Sequence, residues 1–217
     1  MKTPKLLLAG ALALISAPAF AQADSSIGLR LPTQKGSWML GSNLVVGELA
    51  FGSINSDYEM AGVYNVSLNP RAGYFIKDNL MIGGMLNASF NGNSFGEGAY
   101  LGKYHSQTVG LGVFARKYFG KATGKDGNIA RLRFFVEAGA SYNKGWASFK
   151  DPTFPVHHNT FSTGTVHVMP GVNYFFTKNI ALEGGIHMSH TGGSSNVIGN
   201  ANRVGINLGL QIFMGKR

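Results

Sequence analysis

The amino-acid sequence predicts an all-β fold: an eight-stranded antiparallel up-and-down β-barrel that crosses a membrane. Three observations predict it. The final run, Arg203 to Met214, sets the branched aliphatics Val204, Ile206, Leu208, Leu210 and Ile212 between the small or polar Gly205, Asn207, Gly209 and Gln211, a period of two throughout. Eight runs compatible with strands follow one another, joined by connections that alternate short and long. Parity within the runs then gives one nearly apolar face and one polar face. A soluble barrel would turn the apolar face inward, whereas here the charged and amide residues need the inside and the aliphatics the outside.

Residues 1–21 read as a signal peptide with cleavage possible up to Ala23, because Lys2 and Lys5 precede the apolar stretch Leu6 to Ile15 and Ala19-Phe20-Ala21 follows it. That stretch is too short to span a bilayer as a helix, and no later stretch reaches 18 uninterrupted apolar residues. Export follows, and with it the absence of cysteine rules out a disulfide framework or a thiolate metal site. Residues 22–35 are polar and weakly patterned, and Pro32 argues against regular structure, so they read as a periplasmic lead-in to a barrel over residues 36–217. Only 13% of the chain is charged while 31 residues are glycine, which suits crowded curved strands better than the surface of a soluble domain.

The expected strands are Ser37 to Leu49, Gly62 to Ile76, Leu80 to Asn91, Tyr104 to Phe119, Leu132 to Trp146, Thr160 to Phe176, Ile180 to His190 and Arg203 to Met214. Lys77-Asp78-Asn79 and Thr177-Lys178-Asn179 are tight turns, and Gly120 to Arg131 is a longer one on the same side. Ala50 to Ala61, Gly92 to Lys103, Ala147 to Asn159 and Thr191 to Asn202 are read as four long loops. Pro70, Tyr74, Phe75 and Asn79 recur as Pro170, Tyr174, Phe175 and Asn179, each set followed by a Gly-Gly pair, so one hairpin plan is used twice. Tyr74, Tyr118, Phe119, Phe134, Tyr174 and Phe176 flank the short turns, and Phe90, Tyr104, Tyr142, Trp146 and Phe161 lie near the long loops, the positions of two interfacial aromatic girdles.

On these hairpins and the alternating last strand, residues 36–217 resemble the small eight-stranded outer-membrane β-barrel proteins, similar to the OmpA-type barrel and to OmpX-type proteins. The resemblance implies a Gram-negative outer membrane, its lipids as surroundings, and the assembly machinery and periplasmic chaperones as partners during biogenesis. Members usually finish on an aromatic residue. Here Phe213 is followed by Met214-Gly215-Lys216-Arg217, so the assembly signal is either read inside the end or is atypical.

Inward parity collects Arg71, Arg116, Arg133, Glu137 and Glu183 near the short turns, and at about one depth in a narrow tube they are expected to pair and plug it. Arg116 with Glu137 is the pair singled out, their strands being joined by the Gly120 to Arg131 turn. His167, His187 and Ser189 line the same wall. His187-Met188-Ser189 also resembles the His-x-Ser of outer-membrane lipid A deacylases, but no Asp or Glu follows Glu183 to orient the histidine. His157-His158, with His105, is a weak metal candidate because adjacent histidines on extended chain point apart. No catalytic residue, metal or cofactor is assigned.

The net charge of +9, or +7 without Lys2 and Lys5, is spread singly and no basic helix occurs, which excludes a nucleic-acid partner. The reading is a monomeric, non-enzymatic barrel with a structural or surface-interaction role through its long loops. The alternatives are a narrow porin-like channel or small-molecule binder, and a lipid A modifying enzyme.

Overall fold

Strict alternation places successive side chains on opposite faces of a strand, and every strand of this chain uses it to keep aliphatics on one side. The computed structural model describes residues 32–51, 60–95, 102–120, 131–151, 154–193 and 201–215. Eight strands, β1 (Trp38–Phe51), β2 (Met60–Lys77), β3 (Leu80–Phe95), β4 (Gly102–Phe119), β5 (Leu132–Asp151), β6 (Phe154–Phe175), β7 (Ile180–Gly193) and β8 (Ala201–Met214), pair in sequence order. β1 also pairs antiparallel with β8, Trp38 opposite Met214 and Leu44 opposite Leu208, which closes the sheet into a barrel. Closure leaves no sheet edge along that seam, as a bilayer requires.

Leu111, Val113, Phe134 and Ile206 on the outer wall are each at least 60% exposed. Apolar surface continues around the barrel through Leu40, Ile82, Val136, Val166, Leu182 and Leu208, far beyond the few hundred Å² that a soluble monomer tolerates. Its natural solvent is hydrocarbon. No helix among the described residues is long and apolar enough to cross a membrane, and the strands do the spanning.

Three features differ from the sequence expectations. The supposed loop Ala147 to Asn159 is largely strand: β5 continues to Asp151, β6 begins at Phe154, and Ser148 lies opposite His158 in the same ladder. Polar composition disguised it, because a strand with water on both sides needs no apolar face. Tyr118 is 1% exposed and Phe161 is buried, so both leave the aromatic girdles for the lumen, while Trp38 (50% exposed, its ring 5.0 Å from that of Tyr74) joins the outer set. Finally, parity at the short-turn end brings inside not only polar groups but an apolar floor of Met39, Phe75, Met81, Tyr118, Phe135, Met169, Phe175 and Phe213. Residues 1–31 and most of the remaining long-loop sequence lie outside the described residues.

Glycines make the narrow lumen packable. A Cβ on Gly171 would lie 2.5 Å from Phe135 Cζ and 2.8 Å from the Gly184 carbonyl oxygen; one on Gly83 would lie 2.5 Å from Phe114 Cζ. Phe135 and Phe114, and likewise Met81 over Gly73 and Phe161 over Gly145, therefore each lie over a glycine of the neighbouring strand. Gly171→Ala should cost about 1 to 3 kcal/mol through overpacking, whereas Gly164→Ala, with nothing within 4 Å of the added methyl, should stay within about 0.5 kcal/mol of wild type. Urea unfolding midpoints in micelles check the pair.

A buried ion-pair network as the candidate functional site

Inward parity on β2, β4, β5 and β7 delivers Arg71, Arg116, Glu137 and Glu183 to one depth of the lumen, and all four are buried. Arg116 and Glu137 face each other in register across β4 and β5, with Arg116 Nη2 2.7 Å and Nε 2.9 Å from Glu137 Oε2. Arg71 reaches the same carboxylate from the opposite side, its Nη1 2.8 Å from both oxygens. On its other edge Arg116 donates from Nη1 to Glu183 Oε2 and from Nη2 to Glu183 Oε1 at 3.1 Å. The result is one chain, Arg71, Glu137, Arg116, Glu183, whose formal charges sum to zero.

Such charges survive burial when most of the remaining donors and acceptors are met, and in this network Arg71 Nε and Gln211 Oε1 are the buried atoms left without a hydrogen bond among the described residues. Glu183 Oε1 accepts from Asn43 Nδ2 at 2.8 Å and from Asn207 Nδ2 at 3.3 Å, and Gln211 Nε2 donates to Asn43 Oδ1 at 2.7 Å. Arg116 Nη1 donates to the Tyr118 hydroxyl at 3.2 Å, which donates to Asn173 Oδ1 at 3.1 Å. The faces of the guanidiniums rest on rings: Arg116 Cζ is 4.0 Å from the Phe135 centroid and Arg71 Cζ 5.2 Å from that of Phe114. Desolvated cation–π contacts of this kind each contribute about 2 kcal/mol.

Arg133 does not join this chain. It is 1% exposed at the foot of the barrel, donating from Nη1 to Thr33 Oγ1 at 3.2 Å and from Nη2 to Asn79 Oδ1 at 2.9 Å, with no ion pair among the described residues. One partner, Thr33, comes from a segment expected to be irregular, and the other, Asn79, from the β2–β3 turn. Pro32 and Thr33 are buried, and residues 32–37 are tied to the β2–β3 turn by Asn79 N to Thr33 O (2.8 Å), Lys35 N to Asp78 Oδ1 (2.8 Å) and Gly36 N to Phe75 O (2.9 Å). Asn79 occupies the left-handed region, φ 62°, as a tight turn there requires. The lumen is thus layered: a cap at the short turns, an aromatic and methionine floor, then the ion pairs.

His167 lies above them, its Nε2 3.3 Å from Glu137 Oε1 and its ring 5.3 Å from that of His187. Ser189 is in register with His167 and Arg203. Both luminal carboxylates are paired with guanidiniums, and Glu137 also contacts His167, the histidine in register with Ser189. Higher still, amides and hydroxyls bridge strands, Asn87 Nδ2 to Asn143 Oδ1 at 3.0 Å and Thr165 Oγ1 to Thr191 Oγ1 at 3.0 Å. Among the described residues no group of three His, Cys, Asp or Glu is placed to hold a metal, and the side chain of His157 lies outside them.

Asn43, Thr33, Asn79 and Tyr118 were not assigned to the site from sequence. Asn43 was within reach, since β1 alternates Trp38, Leu40, Ser42, Leu44 against Met39, Gly41, Asn43, Val45 and only the second set is consistent with the lumen. Thr33 and Asn79 carry no such signal, because they precede β1 or sit in a turn.

No protein family's sequence profile matches this chain, and comparison with curated proteins finds no match. Solved structures do resemble it. The outer membrane protein OprG of Pseudomonas aeruginosa is 10% identical over 86% of this chain and 100% of its own, with a TM-score of 0.50. Neisserial surface protein A is 18% identical over 82% of this chain and 97% of its own (TM-score 0.49). Ail, the attachment invasion locus protein of Yersinia pestis, is 13% identical over 83% and 100% (TM-score 0.44). At such identities the likeness is one of fold. The chain has the architecture of the small eight-stranded outer-membrane barrels, and the expected fold class holds.

Proposed function

We propose that this protein is a non-enzymatic outer-membrane barrel with a closed lumen, acting structurally or through surface contacts made at its long-connection end. The observation that carries the reading is the Arg71, Glu137, Arg116, Glu183 chain, which crosses the lumen between β2 and β7 with its charges internally neutralised. An eight-stranded barrel has an interior that side chains can fill. The aromatic floor and the 32–37 cap beneath the ion pairs support a plug over a pore.

In this reading residues 1–21, or up to Ala23, are removed as a signal peptide, residues 22–35 begin the mature chain on the periplasmic side, and the barrel is a monomer. Lys77, Lys117, Arg131 and Lys178 are exposed around the short-turn rim against Asp78, a cationic fringe suited to anionic headgroups of the inner leaflet. Short turns therefore face the periplasm and long connections face out. Outer-membrane lipids surround the wall, and periplasmic chaperones and the assembly machinery handle the chain during biogenesis. Liposomes carrying the refolded protein should swell in isotonic arabinose no faster than empty ones. Swelling at a porin-like rate would replace this reading with the channel.

A further inference from the structure

We infer that the outer wall of β3 to β5, at the long-connection end, seats one phosphate-bearing acylated glycolipid, with an acyl chain in a groove beside Leu111 and a phosphate on Lys144. The inference rests on the outer-membrane reading and orientation proposed above, and it names the lipid that this wall would select.

The wall is not smooth there. Leu86, Leu111 and Tyr142 form one outward row in register, and Val109 with Lys144 forms the next. Between them, with Gly110 among its lining residues, lies an apolar groove of about 380 Å³. Lys144 is the charged member of its lining, and it stands on the outward face of β5 between Tyr142, 64% exposed, and Trp146, 47% exposed. Two aromatics framing a cation mark the level where hydrocarbon gives way to headgroups. Height agrees: from Phe134 to Lys144 the strand climbs about 25 Å along the axis at ~3.3 Å per residue and ~40° tilt, the height of the apolar band of such a barrel.

The next polar row extends the patch. His105, Ser148 and His158 are neighbours in register on the same outward face, with both histidines exposed, about 13 Å along the strands from Lys144. Two levels of donors at that separation suit a broad headgroup carrying more than one anionic group better than a single phosphodiester. Among the side chains described, the carboxylates are Asp78 at a short turn and Glu137 and Glu183 in the lumen, so none opposes an anion here. The groove takes the chain, Lys144 the nearer phosphate, and the histidine row the far side of the sugar headgroup.

The test uses the full-length mature chain refolded in a zwitterionic detergent, as wild type, Lys144→Gln and Lys144→Arg. Each is mixed with a bis-phosphorylated, acylated glucosamine disaccharide or with phosphatidylglycerol, and bound lipid is counted by native mass spectrometry. Wild type and Lys144→Arg should retain one glycolipid, Lys144→Gln at least fivefold less, and phosphatidylglycerol should be lost from all three. Equal retention by Lys144→Gln, or equal retention of phosphatidylglycerol by wild type, would overturn the inference. A gel shift between boiled and unboiled samples separates the failures: a folded barrel without glycolipid sinks this proposal alone, and a chain with no folded band sinks the barrel reading beneath it.

Discussion

Glu137→Gln should destabilise the folded barrel by about 3 to 5 kcal/mol, the cost of leaving buried cations without their counter-charge. Glu137 is the hub: its two oxygens serve Arg71, Arg116 and His167. Were Arg116 and Glu137 an isolated pair, as the sequence suggests, deleting both would be close to neutral. The geometry changes that expectation, because among the described residues Arg71 has its ion pair only through Glu137, and Arg116 also holds Glu183. Removing Arg116 and Glu137 strands a charge at each end of the chain. The compensated double variant is Arg71→Met with Glu137→Gln, which leaves the Arg116 and Glu183 pair whole. Unfolding midpoints in urea should therefore rank wild type and Arg71→Met/Glu137→Gln above Glu137→Gln, with Arg116→Ala/Glu137→Ala among the least stable. A Glu137→Gln protein as stable as wild type would show that water already reaches these charges.

Phe213→Ala should also cost about 3 to 5 kcal/mol, as for a fully buried aromatic whose cavity cannot collapse. Phe213 is 0% exposed and centres the floor, its ring 5.1 Å from Phe175 and 6.3 Å from Phe75. Phe134→Ala is the matched control. That ring is 60% exposed on the outer wall, where lipid or detergent chains fill the space it leaves, so a loss near 1 kcal/mol is expected. Equal losses at the two positions would mean that the floor is not packed.

The faces of the strands were legible in the sequence because the side-chain period in a strand is two, and a slip of one residue would expose every charge to hydrocarbon. Arg71, Arg116, Glu137 and Glu183 follow from that rule, and the adjacency of β4 and β5 follows from their being joined by a short-side turn. The rule was also sufficient for Tyr118, two residues after the inward Arg116, but its nearness to a short turn suggested an interfacial role instead. The apolar floor was hidden for a related reason: parity reports which face a residue takes, not whether that face is wet or dry at a given depth. Nothing local could reveal Arg133 bonding to Thr33, a contact between residues far apart in sequence, or the strand character of Ala147 to Asp151, whose polar residues match a loop as well as a strand above the lipid.

The proposal that the lumen is closed is tested most directly by single-channel recording in planar bilayers, with wild type and Glu137→Gln incorporated at equal density. The ion-pair chain, floor and cap predict little steady conductance for wild type and more frequent openings for the variant. Large, long-lived wild-type openings that Glu137→Gln leaves unchanged would contradict the account, since the charges would then line water instead of one another.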